Sequence, residues 1–102
     1  MEKYTLYLGL NDKDTKVQKI NTLEAYKICI NILMKYTDGA TIYEAQGIYK
    51  HNNGTFTTET TLRIELLFIS ESDVLQIIAT LKQVFNQESI ALQTETINSQ
   101  LI

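Results

Sequence analysis

The chain has 102 residues, 44% of them apolar and 21% charged, with a net charge of −3 and a sequence pI near 5.0. That size and apolar share specify one folded domain over residues 1–102 with its own core, and they argue against disorder. The mild acidity gives no basic footprint for a nucleic-acid backbone. The lone cysteine closes no internal disulfide, so a reducing cytoplasm is expected. Met1-Glu2-Lys3-Tyr4 lacks the layout of a signal peptide, and no apolar run reaches membrane-spanning length.

Residues 3–10 alternate, with Tyr4, Leu6, Leu8 and Leu10 on one face and Thr5, Tyr7 and Gly9 on the other, as in a half-buried strand. Asn11 to Lys19 reads as a solvated loop. Asp12 and Asp14 resemble the start of a calcium loop, but Val17 and Leu23 stand where its glycine and bidentate acid belong. Asn21, with Glu24 three residues on, caps a helix. Its apolar stripe is Leu23, Tyr26, Ile30 and Leu33, widened by Cys29, Ile32 and Tyr36, and Gly39 supplies a left-handed end. Cys29, inside that stripe and with no histidine near it in sequence, reads as an inert buried thiol.

Ala40 to Ile69 reads as a long β-hairpin turning at His51-Asn52-Asn53-Gly54. A type I′ turn centred on Asn53-Gly54 sets Tyr49 opposite Thr58, Gly47 opposite Thr60, Ala45 opposite Leu62 and Tyr43 opposite Ile64. The other face then pairs Glu44 with Arg63 and Gln46 with Thr61. A one-residue slip exchanges the two faces. Ser70 to Asp73 caps a second helix through Val74, Leu75, Ile78, Leu81, Val84 and Phe85 to about Asn86. Ser89 to Ile97 is a final strand, and residues 97–102 a frayed tail.

The order β-α-β-β-α-β predicts an α+β, ferredoxin-like domain. It has a four-stranded antiparallel sheet in order 4-1-3-2 and both helices on one face. The name describes shape only, since one cysteine holds no iron–sulfur cluster.

On the face away from the helices, Tyr7, Glu44, Arg63 and Glu65 are expected to converge, an arginine among carboxylates beside a tyrosine, suited to a polar ligand or a partner. No residue is assigned a catalytic role. No His, Cys or acid cluster has metal-ligand spacing, and no phosphate loop or nucleophile motif calls for a cofactor. His51, beside the turn, reads as an exposed spectator. Gly9 either lets a ligand approach the backbone or relieves crowding beside a neighbouring strand. RNA-recognition modules of this shape stack bases on aromatics of the first and third strands. Here only Tyr7 is offered, so direct nucleic-acid binding is not expected.

Glu44-Ala45-Gln46-Gly47-Ile48-Tyr49, the turn glycine Gly54, and Glu59-Thr60-Thr61-Leu62-Arg63-Ile64 together resemble the central hairpin of a family of small uncharacterised bacterial proteins. The Asn-, Lys-, Ile- and Thr-rich composition, without Pro or Trp, is similar to that of phage and mobile-element proteins of low-GC Gram-positive bacteria. The resemblance implies the fold and no catalytic residue.

The expected function is a non-enzymatic interaction module that self-associates, as a homodimer, through its open sheet face or an edge strand. One alternative is a mobile-element inhibitor of a host nucleic-acid-binding defence protein of the CRISPR-nuclease kind, using Glu44, Glu59, Glu65 and Glu95. The other is a small-molecule site or enzyme in a dimeric α+β barrel. Neither a cofactor nor a membrane partner is expected.

Overall fold

The computed structural model describes residues 1–102. It runs β1 (Glu2–Gly9), α1 (Thr22–Leu33), β2 (Thr41–Lys50), β3 (Phe56–Leu66), α2 (Glu71–Val84) and β4 (Ala91–Thr96). The four strands form one sheet in the order β2-β3-β1-β4, with every pairing antiparallel. Read from the other edge this is 4-1-3-2, the ferredoxin-like α+β arrangement that the element order predicts. No helix is long and apolar enough to cross a membrane.

The alternation in β1 decides which face is buried. Tyr4, Leu6, Leu8 and Leu10 join Leu62, Ile64 and Leu66 of β3 beneath Ala25, Cys29, Ile32 and Leu33 of α1 and Val74, Ile77 and Leu81 of α2. Fully burying a leucine or isoleucine contributes roughly 1.5–3 kcal/mol, so this layer dominates the stability of the fold. The stripe on α1 lies about one position from its expected place: Leu23 and Tyr26 are exposed, whereas Ala25 is fully buried. Bulk suggested the larger residues, but a small side chain is what lets α1 lie close against its neighbours. On α2, likewise, Ile77 is buried while Leu75 and Val84 are exposed.

Both N-caps form as expected. Asn21 Oδ1 accepts from the Glu24 N–H at 2.9 Å, and Ser70 Oγ from the Asp73 N–H at 3.2 Å. The left-handed C-terminal residue belongs to the other helix: Asn86 has φ 48°, whereas Gly39 is not in that region. Gln87 N–H bonds Lys82 C=O and Asn86 N–H bonds Gln83 C=O, the two closures of a Schellman motif with asparagine as its left-handed residue. β3 stops at Leu66 rather than Ile69, because Phe68, at φ 56°, breaks the strand.

The hairpin register differs by one residue from the expected one. Tyr49 faces Thr57, Gly47 faces Glu59, Ala45 faces Thr61, Tyr43 faces Arg63 and Glu44 faces Leu62. The turn is the cause. His51 C=O accepts from Gly54 N–H at 2.9 Å, His51 N–H bonds Thr55 C=O at 2.8 Å, and only Gly54 has positive φ, at 86°. That is a three-residue loop with a left-handed glycine, not the two-residue type I′ turn. The extra residue turns Tyr43, Ala45, Gly47 and Tyr49 to the open face and Ile42, Glu44, Gln46 and Ile48 to the helix side.

Candidate functional site

The open face carries Lys3, Thr5, Tyr7 and Gly9 of β1, flanked by Glu59, Thr61, Arg63 and Glu65 of β3 and by Ala91, Gln93 and Glu95 of β4. With the register above, β2 adds Tyr43, Ala45, Gly47 and Tyr49. Of the four residues expected to converge, Tyr7, Arg63 and Glu65 do. Glu44 does not, because it shares the helix-side face with Leu62.

Around Arg63 the face is closed upon itself. Its guanidinium lies 5.8 Å from the Tyr7 ring centroid and 5.5 Å from that of Tyr43, and donates to Glu65 Oε2 at 3.0 Å. Lys3 Nζ reaches the same carboxylate oxygen at 3.2 Å, and Tyr43 O–H donates to its other oxygen at 3.0 Å. Desolvation raises the Glu65 pKa, but the bonds from Lys3 and Tyr43 and the charges of Lys3 and Arg63 outweigh it, so the group stays below the ordinary glutamate value. Tyr7 O–H donates to Gln93 Oε1 at 3.2 Å. Lys3 and Arg63 share the single Glu65 carboxylate, which makes this cluster a brace across the strands, although Arg63 Nε is buried without a partner.

The other end of the face is different. Glu59 is buried, 9% exposed, on β3 beside Gly9. Its Oε2 accepts from the Asn11 backbone N–H at 2.9 Å and its Oε1 from Tyr49 O–H at 3.1 Å. Neither donor is charged. Gly9 is required because a Cβ there would lie 2.5 Å from Glu59 Oε1, so the carboxylate itself occupies the space that the missing side chain leaves. Partial burial, then the hydrogen bond and charge of Glu59, raise the Tyr49 pKa, so that phenol stays protonated and donates.

Above this carboxylate is a pocket of about 380 Å³ walled by Tyr7, Tyr49, Thr61, Gln87 and Ser89, with Gly9 and Gly47 also in its lining. Glu59 is the only charged residue that lines it. Its volume lies within the range of small-molecule sites. Alternation alone hid Glu59, since it reads as one more polar residue on an exposed row. No sequence signal marks it, because Gly9, whose missing Cβ leaves room for the carboxylate, comes beside it only when β1 and β3 pair. A larger cavity of about 690 Å³ lies where the α1–β2 connection meets the end of β3, against Met34, Tyr36, Leu67 and Phe68. Its charged lining is Lys35, Asp38 and Glu65, the last already held by Lys3 and Arg63.

Glu44, Glu59, Glu65 and Glu95 do not form one exposed acidic patch: Glu44 is on the other face, Glu59 is buried and Glu65 is ion-paired. Asp12 is tied down rather than solvated, and Asp14, though exposed, shares its amide donor. Asp12 Oδ1 accepts from the N–H groups of Asp14 and Thr15, and Asn86 Nδ2 donates to Asp12 Oδ2 and Asp14 Oδ2, both at 2.9 Å. The Asn86 bond first, then the Thr15 N–H, hold Asp12 well below the usual carboxylate range. No group of three or more His, Cys, Asp or Glu is placed to hold a metal ion. Cys29 is buried, its thiol pushed up to about 12 by desolvation, in line with an inert role.

No curated protein matches this sequence. Among solved structures, the fold is similar to a phage SAM lyase in complex with S-methyl-5′-thioadenosine. The TM-score is 0.67 at 21% identity, over 92% of this chain and 79% of that one. The same lyase in its apo state gives a TM-score of 0.66 at 20% identity. A DUF3240 family protein from Shewanella baltica is similar at a TM-score of 0.56 and 10% identity, over 99% of this chain and 97% of that one. Residues 3–100 match the family described as protein of unknown function DUF3574, in line with the resemblance to an uncharacterised family, and the chain belongs to it.

Proposed function

We propose that this chain binds a small cationic nucleoside, of the S-adenosylmethionine type, in the Glu59 pocket. The observation that carries the reading is a buried carboxylate, satisfied only by neutral donors, as the sole charge of a ligand-sized pocket. A buried anion without a counter-ion is costly, and a ligand cation supplies the missing charge. A sulfonium or ammonium seated there also meets the rings of Tyr7 and Tyr49, which favour cations over their faces and stack on planar bases. The likeness in fold to a lyase whose structure holds a thioadenosine supports the ligand class.

The test is calorimetric titration of wild type and Glu59→Gln with S-adenosylmethionine and with neutral S-methyl-5′-thioadenosine, followed by mass spectrometry of the mixtures for cleavage. The reading expects Glu59→Gln to weaken the cation by tenfold or more (about 1.4 kcal/mol) and the neutral thioether much less. No binding by wild type, or equal losses for both ligands, rejects it.

The phage source of that lyase favours a second reading, in which the chain is carried by a phage or mobile element and acts against a host defence. Survival of a defence-sensitive phage in cells expressing wild type but not Glu59→Gln supports it, and equal survival rejects it.

A further inference from the structure

The outer edge of β2 is open along its length. It pairs continuously with β3 from Thr41 to Lys50, with no bulge and no proline to blunt it. Leu10 N–H bonds Thr60 C=O, so Thr60 addresses β1, while its neighbours Glu59 and Thr61 address β2. Their partners Gly47 and Ala45 are thus turned inward, and Glu44, Gln46, Ile48 and Lys50 aim their backbone N–H and C=O groups off the sheet.

We propose that β2 pairs antiparallel with β2 of a second copy, about a two-fold axis through Gly47, joining two sheets into one. Only residues whose backbone groups point outward can exchange hydrogen bonds across such an edge. Of the registers that satisfy this, the one centred on Gly47 sets Glu44 opposite Lys50 of the second copy and, by symmetry, Lys50 opposite its Glu44. On the open face, small Ala45 meets large Tyr49, and Gly47 meets Gly47. A lysine on an edge normally repels a neighbouring strand; here the register offers it an acid. β4, the opposite edge, has Glu95 as its only charge and no such complement.

The hairpin that carries this edge is also where large side chains are bare, Ile48 being 68% and Phe56 66% exposed.

Light scattering and amide exchange test it together on wild type, Glu44→Lys, Lys50→Glu and the double swap. Both side chains are exposed, so the fold survives each change. The expected result is a wild-type dimer, with the Gln46 and Ile48 amides protected as concentration rises. Either single variant then raises the dissociation constant tenfold or more, and the swap restores it. A wild-type monomer at millimolar concentration, a larger closed ring, single variants that leave the dimer intact, or a swap that fails to restore it overturns the proposal.

Discussion

Gly9→Ala isolates the strand-to-strand contact that holds the Glu59 carboxylate in place. The new Cβ would stand 2.5 Å from Glu59 Oε1 and 2.6 Å from Cδ, so the carboxylate must shift. A shift that breaks the bond from the Asn11 N–H strands that donor in a half-buried position. A hydrogen bond to a charged group contributes about 1.5–3 kcal/mol. Gly9 is not at positive φ, so alanine is tolerated by the backbone there and returns about 0.4–1 kcal/mol through the unfolded chain. The net loss is therefore about 0.5–2.6 kcal/mol, and each kcal/mol lowers the melting temperature by about 4–8 °C in a domain of this size. Denaturant titration of Gly9→Ala, Glu59→Ala and the double variant gives the coupling directly. In the Glu59→Ala background the cavity is empty, and Gly9→Ala becomes neutral or slightly stabilising. An equal cost in both backgrounds would show that the Cβ and the Glu59 carboxylate do not compete for one space.

The depressed carboxylates Asp12 and Glu65 make stability depend on acid. A group whose folded pKa is lowered stabilises above its unfolded value, near 4, and that contribution disappears as pH falls toward the folded value. Stability should accordingly fall between about pH 5 and 2, and more shallowly in Asn86→Ala, which lacks the leading bond to Asp12; an unchanged slope contradicts the assignment. Cys29, raised to about 12 and fully buried, should resist a thiol reagent at pH 8 until denaturant is added; rapid native labelling would place it at the surface. Gly54→Ala forces a Cβ into a left-handed turn at φ 86° and should cost about 1–2 kcal/mol, whereas Asn53→Ala, at ordinary φ, loses only the exposed bonds from the Thr55 N–H and O–H to Asn53 Oδ1 and should cost less; the reverse order would contradict the left-handed glycine as the turn's main constraint.

Element order, strand pairing and the buried face of β1 are legible because alternation and helical spacing are set by short-range geometry. The hairpin register is not. Asn53-Gly54 fits a two-residue turn and a three-residue one with a left-handed glycine, and the loop closes by bonds from the His51 backbone that the sequence does not display. That one residue decided the fate of Glu44, placed among the site residues by the first turn and on the other face by the second. The clustering of Tyr7, Arg63 and Glu65 on one face is legible because they lie on central strands whose faces do not depend on the turn. Glu59 and Gly9 meet only after β1 and β3 pair, so their complementarity belongs to the tertiary structure. The same holds for Asp12 and Asn86, which are distant in sequence and share a bond of 2.9 Å.

Amide chemical shifts recorded as S-adenosylmethionine is added show whether the Glu59 pocket holds the ligand. Gly9, Asn11, Gly47, Tyr49 and Thr61 should move, and these shifts should weaken in Glu59→Gln. Shifts confined to Gly39 and Phe68, at the far cavity, or no shifts at all, would contradict binding there.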